Sequence, residues 1–430
     1  MPLSSHWRRH RAAWLSGKAW IGRAVFTGGA VAIGIASVLF AAAADLASEL
    51  FHELRRLSPL APLLLTPAGF ALCAWLTRRW FQGAQGSGIP QVMAARRSQD
   101  PAHRRHLLGA RVTAGKVALT LLGLAFGASI GREGPTVQVG AAIMLAVAGL
   151  AGIGRTRGLV LAGGAAGIAA AFNTPLGGIV FAIEEMARAF EQRISGVILG
   201  AVVLAGVTAL ALVGDYRYFG RGSFGFALAE DWLAIPVCGV VFGLLGGLFS
   251  QGVLTVMGAA TGPLAALRAR AVWFAAGCGL AVALLGLATD GYANGTAYET
   301  TRRLIEDGVA IPWWQAPLKL LATLLSSVSG IPGGLFAPSL SVGAGFGPAL
   351  AAVLPGIDLR LLALLAMAGY FAGVVQAPLT AFVIVLEMND DSHMVVPLMA
   401  TTLLAASTSR LVCPHPLYHA LSRAFDPRRA

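Results

Sequence analysis

The sequence predicts an all-α polytopic membrane protein, and three observations carry that prediction. Only 12% of its 430 residues are charged and 56% are apolar, whereas soluble domains carry about 25% charged residues. Charge-free runs long enough to cross a bilayer recur along the chain. Glycine, at 54 residues, is abundant enough for close helix packing and for helix interruptions. A soluble globule of this length would lack the charge to cover its surface. A soluble enzyme, a disordered chain and a disulfide-built domain are therefore disfavoured.

A hydrocarbon core about 30 Å thick is crossed by about 20 helical residues. Residues 1–23 carry Arg8, Arg9, Arg11, Lys18 and Arg23 with no acid, which the positive-inside rule puts in the cytoplasm. The first apolar run, 24–44, is too long for a signal-peptide core and reads as the first span. A second run follows at 57–77, then a basic stretch at 96–116 that is again cytoplasmic. The run 117–131 is short, 134–154 starts directly after Glu133, and 158–183 and 194–214 complete a first half at 24–214. The polar connector 215–231, DYRYFGRGSFGFALAED, separates it from a second half at 232–425. That half holds runs at 232–267, 271–289, 320–357, 361–386 and 392–409. Its runs of 36 and 38 residues are too long for single spans and must break. A short tail, 426–430, follows, with no regulatory domain expected after it. Unequal spans interrupted by glycine and proline are the mark of secondary transporters with broken helices.

The net charge of +12 is almost all arginine and is not gathered on one polar domain, so no nucleic-acid partner is expected. The four cysteines lie far apart without C-x-x-C spacing, and the histidines fall mostly in terminal or loop-like stretches. No metal, cofactor or disulfide frame is indicated.

An internal repeat at one offset runs through the chain. Gly131-Arg132-Glu133-Gly134-Pro135 and Gly334-Leu335-Phe336-Ala337-Pro338 lie 203 residues apart. At the same offset, Asn173-Thr174-Pro175-Leu176 meets Gln376-Ala377-Pro378-Leu379, and Ile183-Glu184-Glu185-Met186 meets Leu386-Glu387-Met388-Asn389. Two related halves follow, with a binding site expected at their interface near the bilayer midplane. Hydropathy leaves open whether the halves are parallel or inverted.

Three loops end in a proline followed by a helix-compatible run: Gly86-Ser87-Gly88-Ile89-Pro90, the loop around Glu133, and Gly330 to Pro338. Proline suits a first helical turn. A helix N-terminus carries unpaired N–H groups and roughly half a positive charge. Any one loop alone reads more readily as an ordinary helix start. Several such ends converging in the membrane form an anion site that needs no fixed cation and so releases its ion readily.

GSGIP, GREGP, GGLFAP and the late Pro416-Leu417-Tyr418 together resemble the CLC family of chloride channels and chloride/proton exchangers, from about residue 24 to 425. The resemblance implies a prokaryotic-type homodimer in the cell membrane (the inner membrane of a Gram-negative bacterium), its N-terminus cytoplasmic. Each subunit would have its own anion pathway and two inverted halves of tilted, partly broken helices. It implies that the hydroxyls of Ser87 and Tyr418 and the backbone N–H groups of Leu335 and Phe336 bind chloride. The serine of GSGIP goes with chloride in this family, a proline there with nitrate, and the fluoride-selective branch departs from the motif.

A carboxylate at a helix start in an apolar setting is costly and functional by default. Glu133 fits that description, and its repeat partner is Phe336, so the half-fold does not require an acid there. The resemblance implies that Glu133 gates the anion site and takes the proton; a salt bridge to Arg132 is the plain alternative. Glu184 and Glu387 match across the repeat and read as structural carboxylates, whereas Glu185 faces Met388. The resemblance makes Glu185 the inner proton-transfer acid; a solvated helix end near Arg188 is the alternative. Lys116 reads as a structural or vestibule charge. Its acidic partner is missing, because Gln91 follows GSGIP where many exchangers have an acid. The expected function is chloride/proton antiport, with a passive chloride channel as the alternative. An intramembrane serine hydrolase at Ser329-Gly330 finds no histidine base in a deep apolar run.

Overall fold

A computed structural model of the chain describes residues 17–150, 152, 156–187, 195–214, 218–219, 231–389 and 391–426. Most of the basic N-terminal segment, Arg188, nearly all of the connector and the last four residues lie outside these.

The first half contains α1 (Gly17–Leu57), α2 (Pro62–Arg79), α3 (Ile89–Arg97), α4 (Pro101–Leu108), α5 (Ala110–Ala125), α6 (Glu133–Leu150), α7 (Thr156–Phe172), α8 (Pro175–Phe181) and α9 (Ser195–Val213). The second contains α10 (Ala234–Gly258), α11 (Gly262–Ala269), α12 (Ala271–Ala288), α13 (Tyr298–Asp307), α14 (Gln315–Val328), α15 (Phe336–Gly345), α16 (Gly347–Val353), α17 (Leu359–Val375), α18 (Pro378–Asn389), α19 (Val395–Val412) and α20 (Leu417–Ser422). Among the described residues, eight helical stretches are long and apolar enough to cross a membrane. The remaining helices are shorter or less apolar, and the two long apolar runs break as expected. The run 320–357 divides into α14, α15 and α16, and 232–267 divides into α10 and α11. At the other extreme, α1 has 41 residues, well beyond the run 24–44. Its charged end, with Glu49, Glu53, Arg55 and Arg56, continues the helix past the apolar stretch.

The repeat is visible helix by helix. Glu133 and Phe336 both open a helix, α7 and α17 cover equivalent residues, and Pro175 and Pro378 open α8 and α18, all at the offset of 203. The backbone agrees: Asn173 (φ 55°) matches Gln376 (φ 57°), and Gly127 (φ 76°) matches Gly330 (φ 83°). Each half is centred on an almost wholly buried helix, α7 or α17. α6 packs on α7 and α15 on α17. These pairs approach closely through glycine. A Cβ on Gly140 would strike the carbonyl of Gly163, and one on Gly343 would strike that of Ala366, again at the same offset.

The offset also joins two lysines, Lys116 and Lys319, both fully buried. Lys116 Nζ donates to the carbonyls of Gly86 (2.6 Å) and Gln85 (3.4 Å). Lys319 Nζ donates to those of Gly295 (2.6 Å), Asn294 (3.2 Å) and Ala293 (3.3 Å). Each half thus uses a buried ammonium to gather the carbonyls of the loop that leads into α3 or α13. Lys116 therefore braces this loop, with carbonyl oxygens in place of an acid as its partners. Ser329, the nucleophile-like serine, donates to the Ser326 carbonyl at 2.7 Å and ends α14.

Candidate ion-binding site

The three glycine-rich loops meet. Gly86 pairs with Pro332 in a parallel bridge and Gly131 with Gly334 in an antiparallel one. The Gly86 N–H donates to Ile331 O (3.2 Å) and the Gly333 N–H to Gly86 O (3.1 Å). Gly131 and Gly334 exchange N–H···O bonds of 2.8 and 2.7 Å. This small backbone clasp fixes where α3, α6 and α15 begin, so their N-terminal N–H groups and partial positive charges are held together. Two glycines make the approach possible. Gly88 has φ 105°, and a Cβ there would come within 2.7 Å of the Gly134 carbonyl. A Cβ on Gly134 would collide with Ser87 Oγ. Gln91 tightens the same loop, its amide donating to Gln85 O (2.6 Å) and Gly83 O (3.0 Å). The residue that replaces the expected acid therefore has a bracing role beside Lys116.

Ser87 and Tyr418 are both buried, and the Tyr418 hydroxyl lies within interaction range of Ser87. Neither oxygen completes a hydrogen bond with another described group. A buried hydroxyl left unpaired costs about 1–3 kcal/mol, so two of them side by side call for a shared acceptor. Leu335 and Phe336 stand at the N-cap and first position of α15, where no preceding turn supplies an acceptor for their N–H groups. The Phe336 ring lies 5.8 Å from that of Tyr418. The four residues named for chloride are thus neighbours at the clasp, offering neutral donors only.

Glu133 is the first residue of α6 and is fully buried. Its Oε1 accepts a 2.9 Å hydrogen bond from the Tyr218 hydroxyl, and Oε2 completes none. The backbone N–H groups of Glu133 and of Ala337 at the start of α15 are near enough to act on the carboxylate. The side chain therefore sits against the same helix start that holds Leu335 and Phe336. Arg132, the alternative partner, turns to Asp45 Oδ1 and the Ala41 carbonyl, both at 2.6 Å. A cavity lined by Asp45, Ser48, Arg132, Tyr218, Thr296 and Tyr298 opens beside this group.

The paired acids diverge as the repeat requires. Glu184 accepts from the N–H groups of Leu379 (3.1 Å) and Thr380 (2.7 Å) and from the Thr380 hydroxyl (2.8 Å), at the start of α18. Glu387 accepts from Leu176 (3.0 Å) and Gly177 (2.8 Å), at the start of α8. Each half caps a helix of the other. Glu185, 2% exposed, points elsewhere, toward His419 Nδ1 at 3.6 Å. It lies in a single π-helical stretch, Ala182–Ala187, which follows α8. Such bulges re-aim side chains and gather at functional sites. His419 adjoins Tyr418 on α20, so one short helix carries both residues.

Sequence reasoning missed Tyr218 and His419. Tyr218 has a sequence signal in hindsight: Tyr216, Tyr218, Phe219, Phe224 and Phe226 crowd a connector that is otherwise polar. Nothing in the sequence pairs His419 with Glu185, because they lie 234 positions apart.

The model of the voltage-gated chloride channel family matches residues 69–410. A slow cyanobacterial Cl−/H+ antiporter has the same fold, with TM-score 0.81 and 25% identity over 95% of this chain and 99% of its own. A CLC-type fluoride/proton antiporter superposes with TM-score 0.78 at 22% identity over 92% of this chain and 97% of its own. For a eukaryotic CLC transporter the TM-score is 0.74 at 23% identity, over 94% of this chain and 74% of its own. The architecture is the CLC fold, two inverted halves of tilted and partly broken membrane helices. With most of its length matched and its broken helices arranged as in those structures, the chain belongs to the voltage-gated chloride channel (CLC) family of membrane transporters.

Proposed function

We propose that the protein exchanges chloride for protons across the membrane. The observation that carries the proposal is Glu133, a buried carboxylate resting against the helix start beside the unpaired hydroxyls of Ser87 and Tyr418. When ionised, Glu133 is itself an anion and competes with chloride for the helix-end dipoles. When protonated it loses that attraction and leaves, and chloride enters. The Ser87 and Tyr418 hydroxyls and the Leu335 and Phe336 N–H groups then hold the halide. Because these donors are neutral, the halide is released without separating a full ion pair. Glu185 is the second station for the proton.

Reconstituted vesicles test this. A chloride gradient drives proton uptake in the wild type. Glu133→Gln and Glu185→Gln each abolish proton movement, and Glu185→Gln keeps chloride flux. Proton pumping by the Glu133→Gln protein would overturn the mechanism. Chloride flux without any proton uptake in the wild type would favour the passive channel. Fluoride in place of chloride distinguishes the halides, and the GSGIP serine supports chloride. The reading includes a homodimer with one pathway per subunit, in the cell membrane with a cytoplasmic N-terminus; cross-linking in native membranes tests the dimer.

A further inference from the structure

We propose that Tyr218, from the connector between the halves, is a latch on the gate: its hydroxyl holds Glu133 against the helix starts next to the anion site and thereby sets the rate of exchange. This rests on the reading of Glu133 as the gate, but not on proton coupling.

The contact is direct, Tyr218 Oη to Glu133 Oε1 at 2.9 Å, with the ring 2% exposed. The hydroxyl is also held in place. The Tyr218 ring is packed edge-on by Phe172 of α7 (5.2 Å between centroids), by Phe219 (4.9 Å) and by Tyr298 of α13 (5.1 Å). Phe172 stacks in turn on Phe336 at 6.1 Å, and Phe336 meets Tyr418. One chain of rings therefore runs from the cavity beside Arg132 to the anion-binding hydroxyls. A donor fixed this firmly cannot follow the carboxylate when it moves. Glu133 must break the bond to leave, and the bond is strongest when the carboxylate is ionised. Tyr218 thus stabilises the state in which Glu133 closes the way to the anion site, and it slows the step that admits chloride. It is a positioning residue, with no contact to the transported ion required.

Chloride efflux from vesicles, read by electrode with potassium and proton ionophores present, tests the latch. Tyr218→Phe keeps the ring packing and removes the donor. It is expected to raise chloride turnover roughly tenfold, the scale of one lost hydrogen bond. Tyr298→Phe leaves turnover unchanged. In a Glu133→Ala background, which has no acceptor, Tyr218→Phe has no effect. Replacing Tyr218 by 3-fluorotyrosine, a stronger donor of nearly the same shape, slows turnover. A Tyr218→Phe protein as slow as wild type or slower, when it elutes as the same species, overturns the latch. So does an equal acceleration in the Glu133→Ala background, or a shift by 3-fluorotyrosine in the same direction as Tyr218→Phe. A wild type that moves chloride but no protons would refute antiport and leave this comparison intact.

Discussion

Replacing Glu387 by glutamine, and separately Glu184 by glutamine, is expected to destabilise the protein by similar amounts. Pro175 opens α8 and has no N–H, and Thr174 provides no side-chain cap. The next two donors, Leu176 and Gly177, are met by the two oxygens of Glu387 at 3.0 and 2.8 Å. Glutamine keeps the volume and one oxygen, but it turns an NH2 toward the second N–H. One hydrogen bond to a charged acceptor is lost, worth about 1.5–3 kcal/mol. Both carboxylates are only partly buried, so solvent screening moves the loss to the lower end, about 1–2 kcal/mol each. The α18 start repeats the arrangement, with Pro378 followed by Leu379 and Thr380 on Glu184. A fall in unfolding temperature of about 1–2 °C is expected for each variant, measured by thermal unfolding of the purified protein in detergent. No fall at either position, or a fall at one alone, would refute the reciprocal capping of one half by the other.

Ser87→Ala and Tyr418→Phe are each expected to weaken chloride binding by about tenfold, measured by titration calorimetry. In each case the deleted hydroxyl completes no hydrogen bond with another described group, so its removal costs one hydrogen bond to the halide. Stability toward acid should depend in part on Asp358, in the loop before α17. The Arg360 side chain donates to it at 2.7 Å and the Arg360 N–H at 2.8 Å, holding its carboxyl below the usual carboxylate range. A depressed value in the folded state adds stability at neutral pH and loses it as the pH falls below about 4. Asp358→Asn should therefore lower stability slightly at pH 7, by less than about 1 kcal/mol given the exposure of the pair, read as a small fall in unfolding temperature. The difference from wild type should vanish in acid.

Much of the fold was legible because it repeats. The offset that links Glu133 with Phe336 also links α7 with α17, and Asn173 with Gln376 in the same left-handed backbone. The helix starts at Ile89, Glu133 and Phe336 were legible because glycine and proline act locally on the backbone. The span lengths were less so: α1 is far longer than its apolar run, since hydropathy sees only the part in lipid. The carbonyl partners of Lys116, the bracing by Gln91, and the contacts of Tyr218 and His419 depend on approaches between distant segments. No spacing in the sequence encodes these. Glu184 and Glu387 are the instructive exception: symmetry alone marked them as structural before any partner was known.

The most direct measurement is a crystal of the protein soaked in bromide and examined for anomalous scattering. A peak is expected between the hydroxyls of Ser87 and Tyr418 and the N–H groups of Leu335 and Phe336, with a second one where the carboxylate had been in Glu133→Gln crystals. A map with no bromide beside these helix starts would contradict the account at its root.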